Sequence, residues 1–165
     1  MSVIDDVVDR EGGFVHHPAD RGKATKFGVT QATLSAWLGR SATVEDIQAL
    51  TLPQAKEVLH EVFVVRPGFD KLPENVIKWH LVDFGVHSSA ETAIRIAQDL
   101  LGLETDGILG PKTLAALTAL DPATFNLALI RRRLKFLSRI VQRDTTQAVF
   151  FPGWVDRVLG FFSTS

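Results

Sequence analysis

The sequence has no cysteine. That excludes a disulfide framework, a thiolate metal site and a cysteine nucleophile, and it makes the fold independent of redox compartment. It has no tyrosine either, so no phenol can serve as general acid or oxyanion donor. No charge of one sign dominates: 18 basic side chains stand against 19 acidic ones, for a net charge of −1. The strongly basic footprint of a dedicated nucleic-acid binder is missing, and nucleic acid is not an expected partner. Long apolar runs are missing too. Val62 to Val65 is a run of four residues, whereas a membrane-spanning helix needs roughly 18, so stable membrane insertion is not expected. The first ten residues, MSVIDDVVDR, carry three aspartates in place of the basic and apolar regions of a signal peptide. The expected location is the cytoplasm in which the chain is made, with another agent needed to release it for work outside.

What is present is a chain of 165 residues, 45% hydrophobic. It is long enough to bury a core without staples, as one domain or one domain with a small appendage. Helical periodicity dominates. Val3, Ile4, Val7 and Val8 share one helical face after a candidate N-cap at Ser2, and Gly12-Gly13 stop that helix. Residues 14–29 lose the helical period; Phe14-Val15 and Phe27-Gly28-Val29 are expected to pair as a short hairpin. Helices then resume. Thr30 caps one through Leu38, Thr43 opens a short one, and Thr51-Leu52-Pro53-Gln54 is a capping box for a helix to about Val65. Pro73 starts the next, Ala90–Leu101 follows, and Pro111 and Asp121-Pro122 mark two further starts, the second for a long helix to about Val141. Pro152-Gly153 precede a last helix. The expected class is all-α with a small β-hairpin or irregular insert after the first helix. The best internal boundary lies near His87–Ala90, dividing residues 1–88 from 89–165, the two packed as one compact unit.

Glu11 is the most informative residue. Its spacing from Ile4, Val7 and Val8 puts its carboxylate on the apolar face of the first helix. It is also the last residue before Gly12, at the negative end of the helix dipole. Burial and dipole both disfavour the charged form and raise the pKa, which suits a general acid. The alternative is a helix-end glutamate reaching solvent or pairing with Arg10 or Arg21. Asp20 follows nine residues later in a glycine-containing loop. One carboxylate in an apolar setting and one in a polar loop can divide the acid and base roles of glycoside cleavage. An Asx-turn in Asp20-Arg21-Gly22 is the competing reading.

The segment Glu11-Gly12-Gly13-Phe14-Val15, then Pro18, Asp20 and Gly22, then Ala24-Thr25-Lys26-Phe27-Gly28-Val29-Thr30 resembles the opening of glycoside hydrolase family 108, whose pattern is E-G-G-Y/F-V-N-D-P-x-D-x-G-G-x-T-K-Y/F-G-I-T. Those proteins are bacteriophage endolysins and related bacterial muramidases. The likeness continues in Leu52-Pro53-Gln54-Ala55, in Phe69-Asp70-Lys71-Leu72-Pro73 and in Asp83-Phe84-Gly85-Val86. Downstream, Asp106-Gly107-Ile108-Leu109-Gly110-Pro111-Lys112-Thr113 is similar to the D-G-x-x-G-P-x-T of the peptidoglycan-binding region that accompanies this enzyme, and Gly153–Val158 to its closing segment. The resemblance implies a lysozyme-like fold and hydrolysis of the β-1,4 bond between N-acetylmuramic acid and N-acetylglucosamine. It implies Glu11 as catalytic acid and, by likeness to the triad of phage-type lysozymes, Asp20 and Thr25 as its partners. Lys26, Asp83 and His87 stand in the matched motifs and are the expected sugar contacts. It implies no cofactor and no metal, bacterial peptidoglycan as partner, a holin for access to the wall, and a monomer. His16-His17, Lys23, Phe63-Val64 and His87 depart from the family pattern.

Rival chemistry is thin. His80, Asp83 and His87, with His16 or His17, suggest a zinc amidase, but His80 and His87 are seven residues apart, too far along a helix for both to bind one ion. Arg131-Arg132-Arg133, Lys135, Arg139 and Arg143 form a basic stretch, either a solvated face or an attraction for the anionic wall. Trp37, Trp79 and Trp154 are candidate sugar stackers or core residues. A lytic transglycosylase and a non-catalytic wall-binding or secretion-activating protein are the alternative functions.

Overall fold

The computed structural model describes residues 4, 5, 7, 8 and 24–162. Ile4, Asp5, Val7 and Val8 are helical, and the three apolar ones are buried, as the spacing requires. Ser2, Gly12-Gly13 and Phe14-Val15 lie outside the described residues. Strands β1 (Thr25–Lys26) and β2 (Val29–Thr30) form an antiparallel pair in the register Thr25 to Thr30 and Lys26 to Val29. Phe27 and Gly28 are the turn of this hairpin, not part of a strand. Both have positive φ, 53° and 79°, the geometry of a type I′ turn, whose twist matches the flanking strands.

Helices α1 (Gln31–Leu38), α2 (Val44–Ala49) and α3 (Leu52–His60) follow. Each starts where a side chain can serve the free backbone N–H groups. Thr30 accepts from Thr33 N, and Thr43 with Asp46 and Thr51 with Gln54 make capping boxes. The third helix does not run as α-helix to Val65. After His60 it widens into a π-helical turn, Glu61–Val65, in which Arg66 N reaches back five residues to Glu61 O at 3.0 Å. A 3₁₀ turn, Phe69–Lys71, follows.

Helix α4 (Val76–His87) begins three residues later than Pro73 suggests, because the Asn75 side chain accepts from the Ile77 and Lys78 N–H groups and sets the start. Then come α5 (Ala90–Leu101), α6 (Pro111–Ala119), the 22-residue α7 (Pro122–Arg143), a 3₁₀ turn (Thr145–Phe150) and α8 (Phe151–Leu159). In α8 Pro152 sits in the first turn, so Gly153 lies inside the helix instead of before it.

The chain divides into two compact units, Met1–Asp70 and Lys71–Ser165. In the first, α1 packs on α3 and on the π-turn, with Leu34, Ile47, Val58, Leu59 and Phe69 fully buried. In the second, α4 packs along α5 and α7, and α7 along α8. Ile130, Leu137, Val158 and Phe161 form one core cluster there, with Trp79 and Trp154 packed against it. No single helix among the described residues is long and apolar enough to cross a membrane.

Candidate active site

Glu11 and Asp20 lie outside the described residues. The structure places Thr25 and Lys26 on β1, at the start of the hairpin. The strand is fixed from several directions. Ala24 and Val29 are fully buried, Gln31 N donates to Ala24 O at 3.1 Å, and the Lys26 ammonium donates to the Gln48 carbonyl at 2.6 Å while lying 5.3 Å from the centre of the Phe27 ring. Lys26 therefore joins the hairpin to α2, and Thr25 rides on a strand with little freedom.

The same unit holds a cleft of about 520 Å³, lined by Ile4, Trp37, Lys56, Glu57, His60 and Glu61 together with Arg66. Lys56, Glu61 and Arg66 of this lining stand in ion pairs. Lys56 Nζ is 2.6 Å from Asp5 Oδ1, and Arg66 Nε is 3.3 Å from Glu61 Oε1. Arg66 also donates to the Ala36 carbonyl at 2.9 Å, tying the π-turn to α1. Sequence reasoning missed this arrangement. Isolated π-turns recur at functional sites, but the apolar run at Val62–Val65 reads as ordinary helix. The cleft sets the Trp37 indole beside these ion pairs.

Asp83 and His87 sit one turn apart on α4 in the second unit, around a guanidinium. Asp83 is 3% exposed and Arg133 is completely buried. Arg133 Nη1 is 2.8 Å from Asp83 Oδ2, and Arg157 Nε and Nη2 both approach Asp83 Oδ1 at 2.9 Å. The Arg133 guanidinium lies 4.7 Å over the Phe84 ring and reaches His87 Nδ1 at 3.3 Å; His87 meets Trp154 edge to face at 5.6 Å. Burial pushes the Asp83 carboxyl up, but the two guanidinia outweigh it and hold its pKa below the usual value. Burial first, then the charges of Arg133 and Arg157, push His87 down to about 4. One turn back, His80 is fully buried, stacked on Phe161 with ring centres 4.3 Å apart. Burial and the Arg133 charge push it down to about 3. Asn126 donates its amide N–H to the Phe161 carbonyl at 2.9 Å, and its Oδ1 can only accept, so the neutral His80 ring carries its proton on Nδ1 and donates to that oxygen at 2.8 Å. The cluster pins α4 to α7 and α8. His80 and His87 thus face different partners, and among the described residues no group of three or more His, Asp or Glu is placed to hold a metal ion.

The basic stretch of α7 splits. Arg131 is exposed, Arg132 pairs with Asp99 at 2.5 Å, and Arg133 is interior. An all-surface reading of the arginine triplet is therefore wrong: α7 needs Arg133 inside to meet Asp83.

Comparison with known proteins gives two family models and a solved structure. The model for glycosyl hydrolase 108 matches residues 4–88, and the model described as a predicted peptidoglycan domain matches residues 92–159. The structure of Brucella abortus SagA is similar to this one, with 34% sequence identity over 98% of this chain and 90% of that chain, and a TM-score of 0.85. No curated protein matches the chain.

Proposed function

This chain belongs to the glycosyl hydrolase 108 family and carries a peptidoglycan domain, and on that premise we propose that it is a lysozyme. It has the all-α, lysozyme-like fold, with one small hairpin among the described residues. In the proposed reaction it cleaves the β-1,4 bond between N-acetylmuramic acid and N-acetylglucosamine. The observation that carries the reading is the match over residues 4–88, which takes in Glu11, Asp20 and the whole opening motif.

Glu11 is the general acid and gives a proton to the glycosidic oxygen as the bond breaks. Asp20 is the base and takes a proton from the attacking water. Thr25 supplies a hydroxyl to orient that water, and its seat on a tethered strand supports the role. Water between two carboxyls requires a gap of about 6.5–9.5 Å and inverts the anomeric centre. Lys26 is the proposed sugar contact beside Thr25; Asp83 and His87, held by Arg133 in the second unit, keep α4 in place. Biologically, the protein is a bacteriophage-type endolysin: monomeric, made in the host cytoplasm, passed to the wall through a holin lesion, and bacteriolytic there.

Digestion of purified peptidoglycan with mass analysis of the muropeptides tests this. Reducing N-acetylmuramic acid ends are expected. Anhydro ends would make the protein a lytic transglycosylase, and intact glycan would make it a wall-binding protein without catalysis. An α-configured first product is expected from a cleaved chitooligosaccharide; a β product or a glycosyl-enzyme trapped at Asp20 would overturn inversion.

A further inference from the structure

The second unit contains a cleft of about 530 Å³ that the hydrolytic reaction does not use. It is built on the turn between α5 and α6, the Asp106-Gly107-Ile108-Leu109-Gly110-Pro111 segment. That turn has no regular secondary structure, yet it is fixed from behind, chiefly by one buried amide. Gln98, 1% exposed on α5, donates from Nε2 to Asp106 Oδ1 at 2.7 Å and to the Ile108 carbonyl at 3.0 Å, with Thr113 Oγ1 at 3.2 Å. Its Oε1 accepts from Gly107 N at 2.9 Å. Gly107 holds φ at +79°, and a Cβ there would stand 2.6 Å from Glu91 Cγ. Arg95 closes the back of the loop by donating to the Thr105 carbonyl. Burying an amide is costly unless its bonds are all made, and here they are spent on holding one loop in one shape.

The fixed loop turns an apolar side chain outward. Ile108 is 65% exposed. With Leu103 and Pro111 it makes an aliphatic wall, and Glu104 and Lys112 bring one charge of each sign to the same cleft. Asp106 is taken up by the loop, since its Oδ1 accepts from both Gln98 and Ile108 N. Among the described residues lining the cleft, none is aromatic. Pyranose rings are usually gripped on aromatic faces, which this cleft lacks. A short peptide with aliphatic side chains, a free carboxylate and an ammonium group matches the aliphatic wall and both charges, and the volume lies in the ordinary range for small-molecule sites.

We propose that this cleft binds the stem peptide of peptidoglycan, with Lys112 on its terminal carboxylate, Glu104 on the diamino-acid ammonium and Ile108 against its alanine methyls. The inference rests on the reading of the chain as a peptidoglycan hydrolase, and it gives the two units separate tasks: the first cuts glycan, the second grips peptide.

The test uses the full chain, isotope-labelled, titrated with a synthetic tetrapeptide of L-Ala, γ-D-Glu, meso-diaminopimelate and D-Ala. Chitotetraose serves as the glycan control. Saturable NMR shifts over residues 103–113 are expected with the tetrapeptide and not with chitotetraose. Ile108→Ser and Lys112→Glu should each weaken tetrapeptide binding about tenfold, the first through apolar area covered on binding and the second through a lost charge contact. Both side chains are exposed, so unchanged circular dichroism is expected and a folding defect would not mimic the loss. Absence of shifts at millimolar tetrapeptide, equal binding by both variants, or chitotetraose shifting the same residues would each overturn the proposal. Wall hydrolysis by a chain that ignores the tetrapeptide sinks the cleft and spares the lysozyme. Tetrapeptide binding by a chain that releases no reducing ends does the opposite.

Discussion

Asp83 shows how much a single residue type can conceal. Its place in a matched motif suggests a sugar contact, but its carboxylate faces two guanidinia in a nearly dry setting. Such a pair is costly to form and worse to break. Asp83→Ala should leave Arg133 as an uncompensated buried charge and destabilise the fold by about 3–5 kcal/mol, read by urea unfolding. A loss no larger than that of an exposed substitution would show that the carboxylate is dispensable. The neighbouring imidazoles carry a pH signature. In the unfolded chain both take up protons below about pH 6.5; in the folded chain His87 waits until about 4 and His80 until about 3. The unfolded state therefore binds more protons across that window, and stability must fall as pH drops from 6.5 toward 3. Asp83, depressed below its usual value, adds a loss of the same sign at still lower pH. Urea midpoints from pH 8 to 4 should decline below 6.5, and His80→Asn should flatten part of the decline. A level profile to pH 4.5 would mean that neither ring is held neutral. Glu11 is tested by chemistry instead. Glu11→Gln should keep the circular dichroism spectrum and lose wall hydrolysis by at least ~100-fold; near-normal turnover would remove Glu11 from the reaction.

Elements were legible wherever their ends were written in local chemistry. Thr30, Thr43, Thr51, Ser89 and Asp121 stand at N-caps, and Gly39 and Gly102 are left-handed at C-caps, as their side chains or lack of them dictate. The misses share one cause, geometry decided by tertiary context. The hairpin turn falls on Phe27-Gly28 because both residues take positive φ, which a phenylalanine does not advertise. The π-turn at Glu61–Val65 depends on where Arg66 meets Glu61 and Ala36, neither of which periodicity reports. Of the candidate site, the motif residues were readable, but Arg133 as the partner of Asp83 was not. Fifty positions separate them, and its helix reads as a basic surface. The hairpin gives the element-scale prediction. Gly28 holds φ at 79°, where a Cβ costs roughly 1–2 kcal/mol. Gly28→Ala should lower the free energy of unfolding by that amount and reduce turnover, since Thr25 is paired to Thr30 across the same turn. Full activity with lowered stability would free Thr25 from any catalytic role.

For the molecule as a whole, a net charge of −1 gives no general attraction to an anionic wall, so any attraction must come from local asymmetry. Helix α7 supplies one. Arg131, Lys135, Arg139 and Arg143 are all exposed and recur every fourth residue, which aligns them along one side of the helix. Arg132 and Arg133, in the same run, are engaged by Asp99 and Asp83, so the stripe is narrower than the sequence suggests. Exposed charges act over about 10 Å at 0.1 M salt and about 3 Å at 1 M. Reversing two of the four, Arg131→Glu with Lys135→Glu, should therefore weaken co-sedimentation with purified peptidoglycan severalfold at low salt and hardly at all near 1 M. Stability should change by less than about 0.5 kcal/mol, because neither side chain is interior. The salt dependence separates this stripe from the peptide cleft. Loss of an aliphatic contact at Ile108 weakens binding at every ionic strength, whereas loss of a screened charge does so only where screening is weak. Equal sedimentation of the double variant and the parent at low salt would reduce the stripe to a solvated face and leave wall attachment to the cleft and the glycan site.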